Sequence, residues 1–224
     1  MSYGFAVHSR TRSVSAETIE KFRTVAVANA SDNMARLSHA GARLRPLHAG
    51  GPMAGPALTV RTRPGDNLMV HKALDMAQPG DVIVVDAAGD LTNALIGELM
   101  LAYAESKRVG GIVIHGAVRD LAAIRAGSLP VFAAGVTHRG PYKDGPGEIN
   151  APISIEGMVV APGDLVIGDD DGVLAIPFDA TETVYRGVQA TLEREARVLQ
   201  ATRAGTVDRS WVDKALRERG CAGV

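Results

Sequence analysis

The stretch Gly110-Gly111-Ile112-Val113-Ile114-His115-Gly116-Ala117-Val118-Arg119-Asp120 reads as a glycine stop, a short buried strand over 111–115 and a loop over 116–120 at that strand's carboxyl end. Leu121 to Ala126 then begins a helix, and Val131-Phe132-Ala133 the next strand. On the other side, Asp90-Leu91-Thr92-Asn93 offers capping side chains to a helical pattern from Ala94 to Arg108, with Leu95, Leu99, Ala102 and Tyr103 on one face. Farther back, the Pro79-Gly80 turn launches an apolar strand that ends at Asp86. This β-α-β-α-β succession predicts a partly parallel sheet, with ligand groups outside the carboxyl ends of its strands.

Working outward, Ser15 to Leu37 predicts an N-terminal cap helix, because Ile19, Phe22, Val25 and Ala26 recur at helical spacing. A Gly/Pro-rich connection over 40–55 leads to a strand at 57–62 and a helix over 67–76. Pro162-Gly163-Asp164, followed by Leu165 to Asp169, echoes Pro79-Gly80-Asp81 and its strand, although the echo is too short to be a repeat. Residues 135–149 form a Gly- and Pro-dense loop. Short strands are expected at 153–155, 158–160, 165–167 and 173–176, then helices over 181–203 and 210–219. The whole chain, 1–224, reads as one α/β domain with a mixed sheet and terminal helices.

Composition narrows the function. The chain has 24 basic and 25 acidic residues, a formal net charge of −1, so it lacks the basic footprint of a nucleic-acid or anionic-membrane binder. The lone cysteine, Cys221, has no internal disulfide partner, and no apolar run is long enough for a signal or a membrane span. A cytoplasmic setting is expected.

The candidate chemistry centres on Glu98 and the Arg119-Asp120 pair, which one helix turn and one strand bring to the same end of the sheet. An adjacent Arg and Asp usually form only a surface ion pair. Here Gly116 precedes the pair, and Gly97 would let a ligand approach the backbone or simply permit close packing. If the helix starts near Gly97 rather than Asn93, the free amides of Glu98, Leu99 and Met100 form an anion site, and the sequence leaves both starts open. Asp169-Asp170-Asp171-Gly172 offers oxygen ligands but lacks the spacing of a calcium loop, so it reads mainly as a tight turn. The six histidines show no paired metal-binding spacing and read as satisfied or solvated groups. Neither a phosphate loop nor a nucleophile elbow is visible.

Gly97-Glu98-Leu99-Met100, Gly110 to Asp120, Arg139-Gly140-Pro141-Tyr142-Lys143-Asp144-Gly145-Pro146-Gly147, and Pro162-Gly163-Asp164 through Gly172 together resemble the family of 4-hydroxy-4-methyl-2-oxoglutarate aldolases and regulators of ribonuclease E activity, the RraA-like proteins. The resemblance covers roughly 31–177, with the C-terminal helices at about 181–219. It implies an α-β-β-α swivelling-type domain, assembled as a homotrimer or a hexamer of two trimers, with sites between protomers. It also implies that Asp120 ligates Mg2+ or Mn2+, that Arg119 contacts the pyruvyl oxygen, and that Gly97, Leu99 and Met100 bind the substrate carboxylate. The characterised aldolases usually carry Asp where this chain has Glu98. A carboxylate from the neighbouring protomer's C-terminal helix belongs to the same pattern, with Glu195 the candidate and Glu193 next.

The implied activity is that of a class II pyruvate aldolase cleaving 4-hydroxy-4-methyl-2-oxoglutarate or 4-carboxy-4-hydroxy-2-oxoadipate, with oxaloacetate decarboxylation alongside. Both reactions leave negative charge on a former carbonyl oxygen and so call for a cation there. Arg119 would add a fixed charge, and a water held by Glu98 and the partner-chain carboxylate would shuttle the proton. The competing expectation is a non-catalytic regulator that binds and masks a ribonuclease. That branch tends to lack the metal-binding Asp, which this chain retains at Asp120.

Overall fold

The computed structural model describes residues 4–38 and 40–224; Met1, Ser2, Tyr3 and His39 lie outside the described residues. The first half contains β1 (Phe5–Val7), α1 (Ala16–Phe22), α2 (Val27–Asp32), β2 (Arg45–Pro46), β3 (Met53–Thr62), α3 (Leu68–Met76), β4 (Val82–Asp86), β5 (Ala94–Ile96) and α4 (Glu98–Ser106). There follow β6 (Gly111–Val118), α5 (Leu121–Ala126), β7 (Val131–Val136), β8 (Gly147–Ile149), β9 (Ile153–Ile155), β10 (Met158–Val160), β11 (Leu165–Asp169), β12 (Gly172–Ile176), α6 (Thr181–Arg203) and α7 (Ser210–Glu218). Among the described residues no helix is long and apolar enough to cross a membrane.

The main sheet runs β1-β8-β3-β4-β6-β7-β2, with β5 beside β6. The β3–β4, β4–β6 and β6–β7 pairs are parallel, as the β-α-β-α-β reading requires. Strand β3 is longer than the alternation suggests because it serves two layers. Its first half, Met53 to Pro56, pairs with β11, and from Ala57 onward it pairs with β4. Gly55 sits at the crossing, where a Cβ would collide with the Gly80 carbonyl. Three apolar clusters then separate four layers. Leu74, Ile83, Ile114 and Ile124 lie between the sheet and α3, α4 and α5. Met53, Val84, Phe132, Ile155 and Val166 lie between the sheet and the β9–β10 and β11–β12 hairpins. Phe22, Ile167, Leu174 and Val188 lie between β11–β12 and the α1, α2 and α6 helices. The mixed α/β architecture with terminal helices is therefore the one expected.

Local departures have local causes. The helix predicted over Ser15–Leu37 is two helices, α1 and α2, because Ala26 is extended (φ −64°, ψ 136°) and the Val27 N–H donates to Asp169 Oδ2 at 2.8 Å. The predicted loop 116–120 is strand as far as Val118, with all of β6 buried, and the loop 135–149 contains the end of β7 and the whole of β8. The helix expected from Ala94 begins at Glu98; residues 94–96 are strand, and Asn93 donates to the Gly140 carbonyl instead of capping. Its expected packing face is wrong as well, since Leu99 is 87% exposed and Tyr103 is exposed, while Leu101 and Ala104 are buried.

The two Pro-Gly-Asp turns share a design. Asp81 Oδ2 accepts from the Gln78 N–H and Asp164 Oδ2 from the Ala161 N–H, both at 2.9 Å, and each buried carboxylate receives an N-terminal arginine, Arg10 at 2.7 Å and Arg12 at 3.4 Å. The Asp169–Gly172 cluster is the turn of the β11–β12 hairpin, with Asp169 opposite Gly172. Asp169 Oδ1 accepts from the Asp171 N–H while Oδ2 caps α2. Asp169→Ala is expected to lower stability by about 1–2 kcal/mol through the lost cap, measured as a fall in the urea midpoint; an unchanged midpoint would contradict the capping role.

His115, buried in β6, joins the sheet to the β9–β10 hairpin through Asp86 (Nδ1 to Oδ1, 3.4 Å) and Glu156 (Nε2 to Oε1, 3.2 Å). The Asp86 hydrogen bond, opposed by burial and joined by Glu156, raises its pKa above the ordinary imidazole value. Its contribution to stability is thus present at low pH and lost as pH rises through the raised pKa. Denaturation midpoints taken from about pH 6 to about pH 9 should fall in the native chain and flatten in His115→Gln.

Candidate active site

The Arg119-Asp120 pair stands at the carboxyl end of β6, beyond Val118. Asp120 has left-handed backbone angles (φ 58°, ψ 43°), which an aspartate tolerates better than most residues. This geometry turns its carboxylate back across the sheet end, where Oδ2 accepts from the Glu98 N–H at 2.9 Å. The first amide of α4 is thereby bound to the strand loop expected to face it. Gly97 is needed for this approach, because a Cβ there would run into the Asp120 carboxylate and the Arg119 side chain. The close-packing and ligand-approach readings of Gly97 therefore describe one contact.

Between these elements lies a cleft of about 140 Å3. Arg119, Asp120, Gly97, Leu99 and Met100 line it, as expected, together with Asn67, His71 and Lys143, which sequence reasoning did not place there. The amides divide differently from the expectation. Met100 N–H is spent on the Gly97 carbonyl at 3.0 Å and Glu98 N–H on Asp120, which leaves Leu99 N–H without a partner among the described residues. Leu99 N–H is thus the amide of this first turn left free, and Met100 contributes its side chain to the lining of the cleft. The Glu98 side chain is exposed and does not line the cleft. Glu195, on α6, accepts from Asn29 Nδ2 at 3.0 Å and does not line it either, so any part it plays must come from another copy of the chain.

The missed residues are held by a buried aspartate. Asp66 is fully buried; its Oδ2 accepts from Asp144 N–H (2.7 Å) and Gly145 N–H (2.9 Å), and its Oδ1 from Leu68 N–H (3.0 Å) at the start of α3. Asn67 N–H donates to the Tyr142 carbonyl and Tyr142 N–H to the Gly65 carbonyl, so the loop carrying Lys143 is stitched to the helix carrying His71. Asn67 Nδ2 donates to the Leu95 carbonyl at 2.8 Å, which leaves its buried Oδ1 unpartnered. His71 Nε2 is likewise buried and unpartnered, although the side chain as a whole is partly exposed. Burial first, then the Lys143 charge, lower its pKa below the ordinary imidazole value against the opposing pull of Asp75. The available signal was the pairing of Asn67 and His71 one helical turn apart.

Among the described residues no group of three His, Cys, Asp or Glu side chains is placed to cage a metal ion. Asp120 nevertheless fits a hard divalent cation of the kind that keeps its waters and takes remaining ligands from a substrate. One carboxylate oxygen is anchored by Glu98 N–H, and the carboxylate borders the cleft at partial exposure.

The family model described as RraA-like, Aldolase/RraA, matches residues 24–175. A Halalkalibacterium halodurans protein named "Putative 4-hydroxy-4-methyl-2-oxoglutarate aldolase" is 43% identical over 168 residues, spanning 75% of this chain and 80% of that one. A Thermus thermophilus 4-hydroxy-4-methyl-2-oxoglutarate aldolase is 37% identical over 50% of this chain and 68% of its own. The crystal structure of Streptomyces coelicolor RraAS2, described as an unusual member of the RNase ES inhibitor RraA family, is 26% identical with a TM-score of 0.73, covering 83% of this chain and 95% of that one.

Gly97→Ala should push Asp120 away from the Glu98 amide. Since displacements of about 1 Å can cost about 10²-fold in rate, aldolase turnover is expected to fall by that order while circular dichroism stays native. Native turnover in the variant would show that the contact is dispensable.

Proposed function

Because the chain belongs to the RraA-like family, we propose that it is a divalent-metal-dependent lyase. On this reading it releases pyruvate from 4-hydroxy-2-oxo diacids, such as 4-hydroxy-4-methyl-2-oxoglutarate or 4-carboxy-4-hydroxy-2-oxoadipate, by retro-aldol cleavage, and it decarboxylates oxaloacetate at the same site. The observation that carries the reading is the convergence of Arg119, Lys143 and the free Leu99 N–H on one cleft beside the Asp120 carboxylate. The names of the Halalkalibacterium and Thermus relatives support it.

A 2-oxo diacid brings two carboxylates and a keto oxygen, and the cleft answers with two cationic side chains and an amide at a helix N-terminus. Arg119 supplies a charge that stays on at any working pH and is suited to the oxygen that becomes negative. Leu99 N–H binds a carboxylate, and Lys143 places a second charge against the diacid. When bound at Asp120, Mg2+ or Mn2+ supplies Lewis-acid stabilisation of the charge developing on the keto oxygen. The Ala94–Ile96 strand and Met100 form an apolar wall on one side of the cleft. Glu195, or Glu193 beside it, completes the site from a neighbouring copy in a homotrimer or a hexamer of two trimers. A ribonuclease-masking role gives no use to unpartnered polar groups buried in a cleft.

The test is pyruvate release from oxaloacetate and from 4-hydroxy-4-methyl-2-oxoglutarate with magnesium or manganese, repeated with chelator. Chelator-sensitive pyruvate above the metal-only background is expected, and Asp120→Ala should lose it by about 10²-fold or more with the fold intact. No pyruvate from either substrate by a folded protein would overturn the lyase reading; undiminished turnover in Asp120→Ala would overturn the metal ligand.

A further inference from the structure

Arg119 and Asp120 border two hollows, and the chemistry proposed above uses only one of them. The second is an open recess of about 250 Å3, lined by Arg119, Asp120, Val136, Thr137 and His138. Its position follows from the sheet. β6 and β7 run parallel with Val118 opposite Val136, and Thr137 N–H donates to the Val118 carbonyl at 3.0 Å. The chain therefore leaves both strands side by side, with Thr137 and His138 next to Arg119 and Asp120. Ligands of such sheets bind just outside the carboxyl ends of neighbouring parallel strands. Because the Asp120 carboxylate is tied to α4 through Glu98 N–H, a ligand held at Asp120 has α4 on one flank and the end of β7 on the other.

Resting on the lyase reading, we propose that this recess is the specificity subsite for the C4 substituent of the cleaved diacid, and that it favours a substituent carrying a carboxylate. The pyruvyl end is the same in every substrate of the class, and the group on C4 is what differs. It is a methyl in 4-hydroxy-4-methyl-2-oxoglutarate and a carboxymethyl in 4-carboxy-4-hydroxy-2-oxoadipate. Cleavage of the C3–C4 bond turns C4 into a carbonyl carbon, so that half leaves as pyruvate from the first and as oxaloacetate from the second. With the pyruvyl end held in the smaller cleft by Arg119 and Leu99 N–H, C4 lies two bonds beyond the keto carbon, beside the boundary that Arg119 and Asp120 share with the recess.

The lining suits an anionic substituent better than a methyl group. Thr137 brings a hydroxyl and His138 an imidazole; neither side chain makes a hydrogen bond or ion pair among the described residues, so both are free to donate to a carboxylate. Arg119 adds a fixed positive charge on the shared wall, and Arg139 follows His138 in an exposed position. The acid on the lining is Asp120, the residue read as the metal ligand. Val136, itself exposed, offers an apolar surface to the methylene of the substituent. A site that hydrogen-bonds a polar group rejects an analogue lacking it far more strongly than an apolar pocket rejects a missing methylene. The C4 group is thus where this chain sets its choice within the class.

The experiment measures kcat/KM of the full-length protein with magnesium for both diacids, in the native chain and in His138→Ala, His138→Glu and Thr137→Val, each checked by circular dichroism. The quantity read is the ratio of the carboxymethyl to the methyl substrate. It is expected to exceed one in the native chain and to fall by about tenfold in His138→Ala and Thr137→Val, chiefly through KM. It should fall further in His138→Glu, where a like charge faces the substituent. A native ratio below one, or a ratio that none of the variants moves, would overturn the subsite and leave the lyase reading standing. So would a parallel fall for both substrates, the result expected if Glu195 of a neighbouring copy fills the recess instead. A native chain that cleaves neither diacid overturns both.

Discussion

The hydrogen bond from Glu98 N–H to Asp120 Oδ2, 2.9 Å long, ties the start of α4 to the end of β6, and the geometry of the cleft follows from it. It requires a residue without a Cβ at 97 and left-handed backbone at 120. With those conditions met, the strand end cannot continue into β-structure and the helix cannot begin earlier than Glu98. The same bond consumes one α4 amide, the Gly97 carbonyl consumes another at Met100, and a single free N–H at Leu99 is what remains for an anion. A helix N-terminus offers several donors in principle; here the protein uses two of them on itself, which fixes where a carboxylate can sit.

That junction is rigid because of what lies beneath it. β4, β5 and β6 contribute Val85, Leu95, Ile96, Ile114 and Val118 to one apolar cluster with α3, so the base of the cleft belongs to the largest core of the molecule. Asp66 does for the opposite wall what Asp120 does for the near one. A buried carboxylate accepting several N–H groups is held in place by the cost of leaving any of them unpaired. Both walls of the cleft are thus anchored by an aspartate accepting backbone amides across the chain.

Much of this was legible in the sequence, and the gaps have physical reasons. The parallel β4–β6–β7 order followed from strand and helix periodicity, and α6 occupies Thr181–Arg203 as its long amphipathic pattern required. Arg119, Asp120, Gly97 and Leu99 lay in motifs that turn out to be adjacent in space. The helix at 94 failed because Ala94-Leu95-Ile96 is apolar enough to suit either element, and the parallel pairing of β5 with β6, a long-range contact, settles it. The α1–α2 break depends on Asp169, 142 residues from Val27, and no window of local sequence contains it. His71 went unrecognised for the same reason: it sits in an unremarkable helix, and only the Asp66-stitched loop brings Lys143 beside it.

Charge explains why the cleft must be assembled from so many distant segments. Arg119 and Lys143 repel each other and would separate in an unconstrained chain, yet both line one small cavity with a single carboxylate between the two walls. Two cations and one anion leave the cleft net positive, a state that a dianionic ligand relieves. The protein meets the cost with backbone: the Asp66 and Asp120 bonds hold the loops where side-chain attraction alone would not.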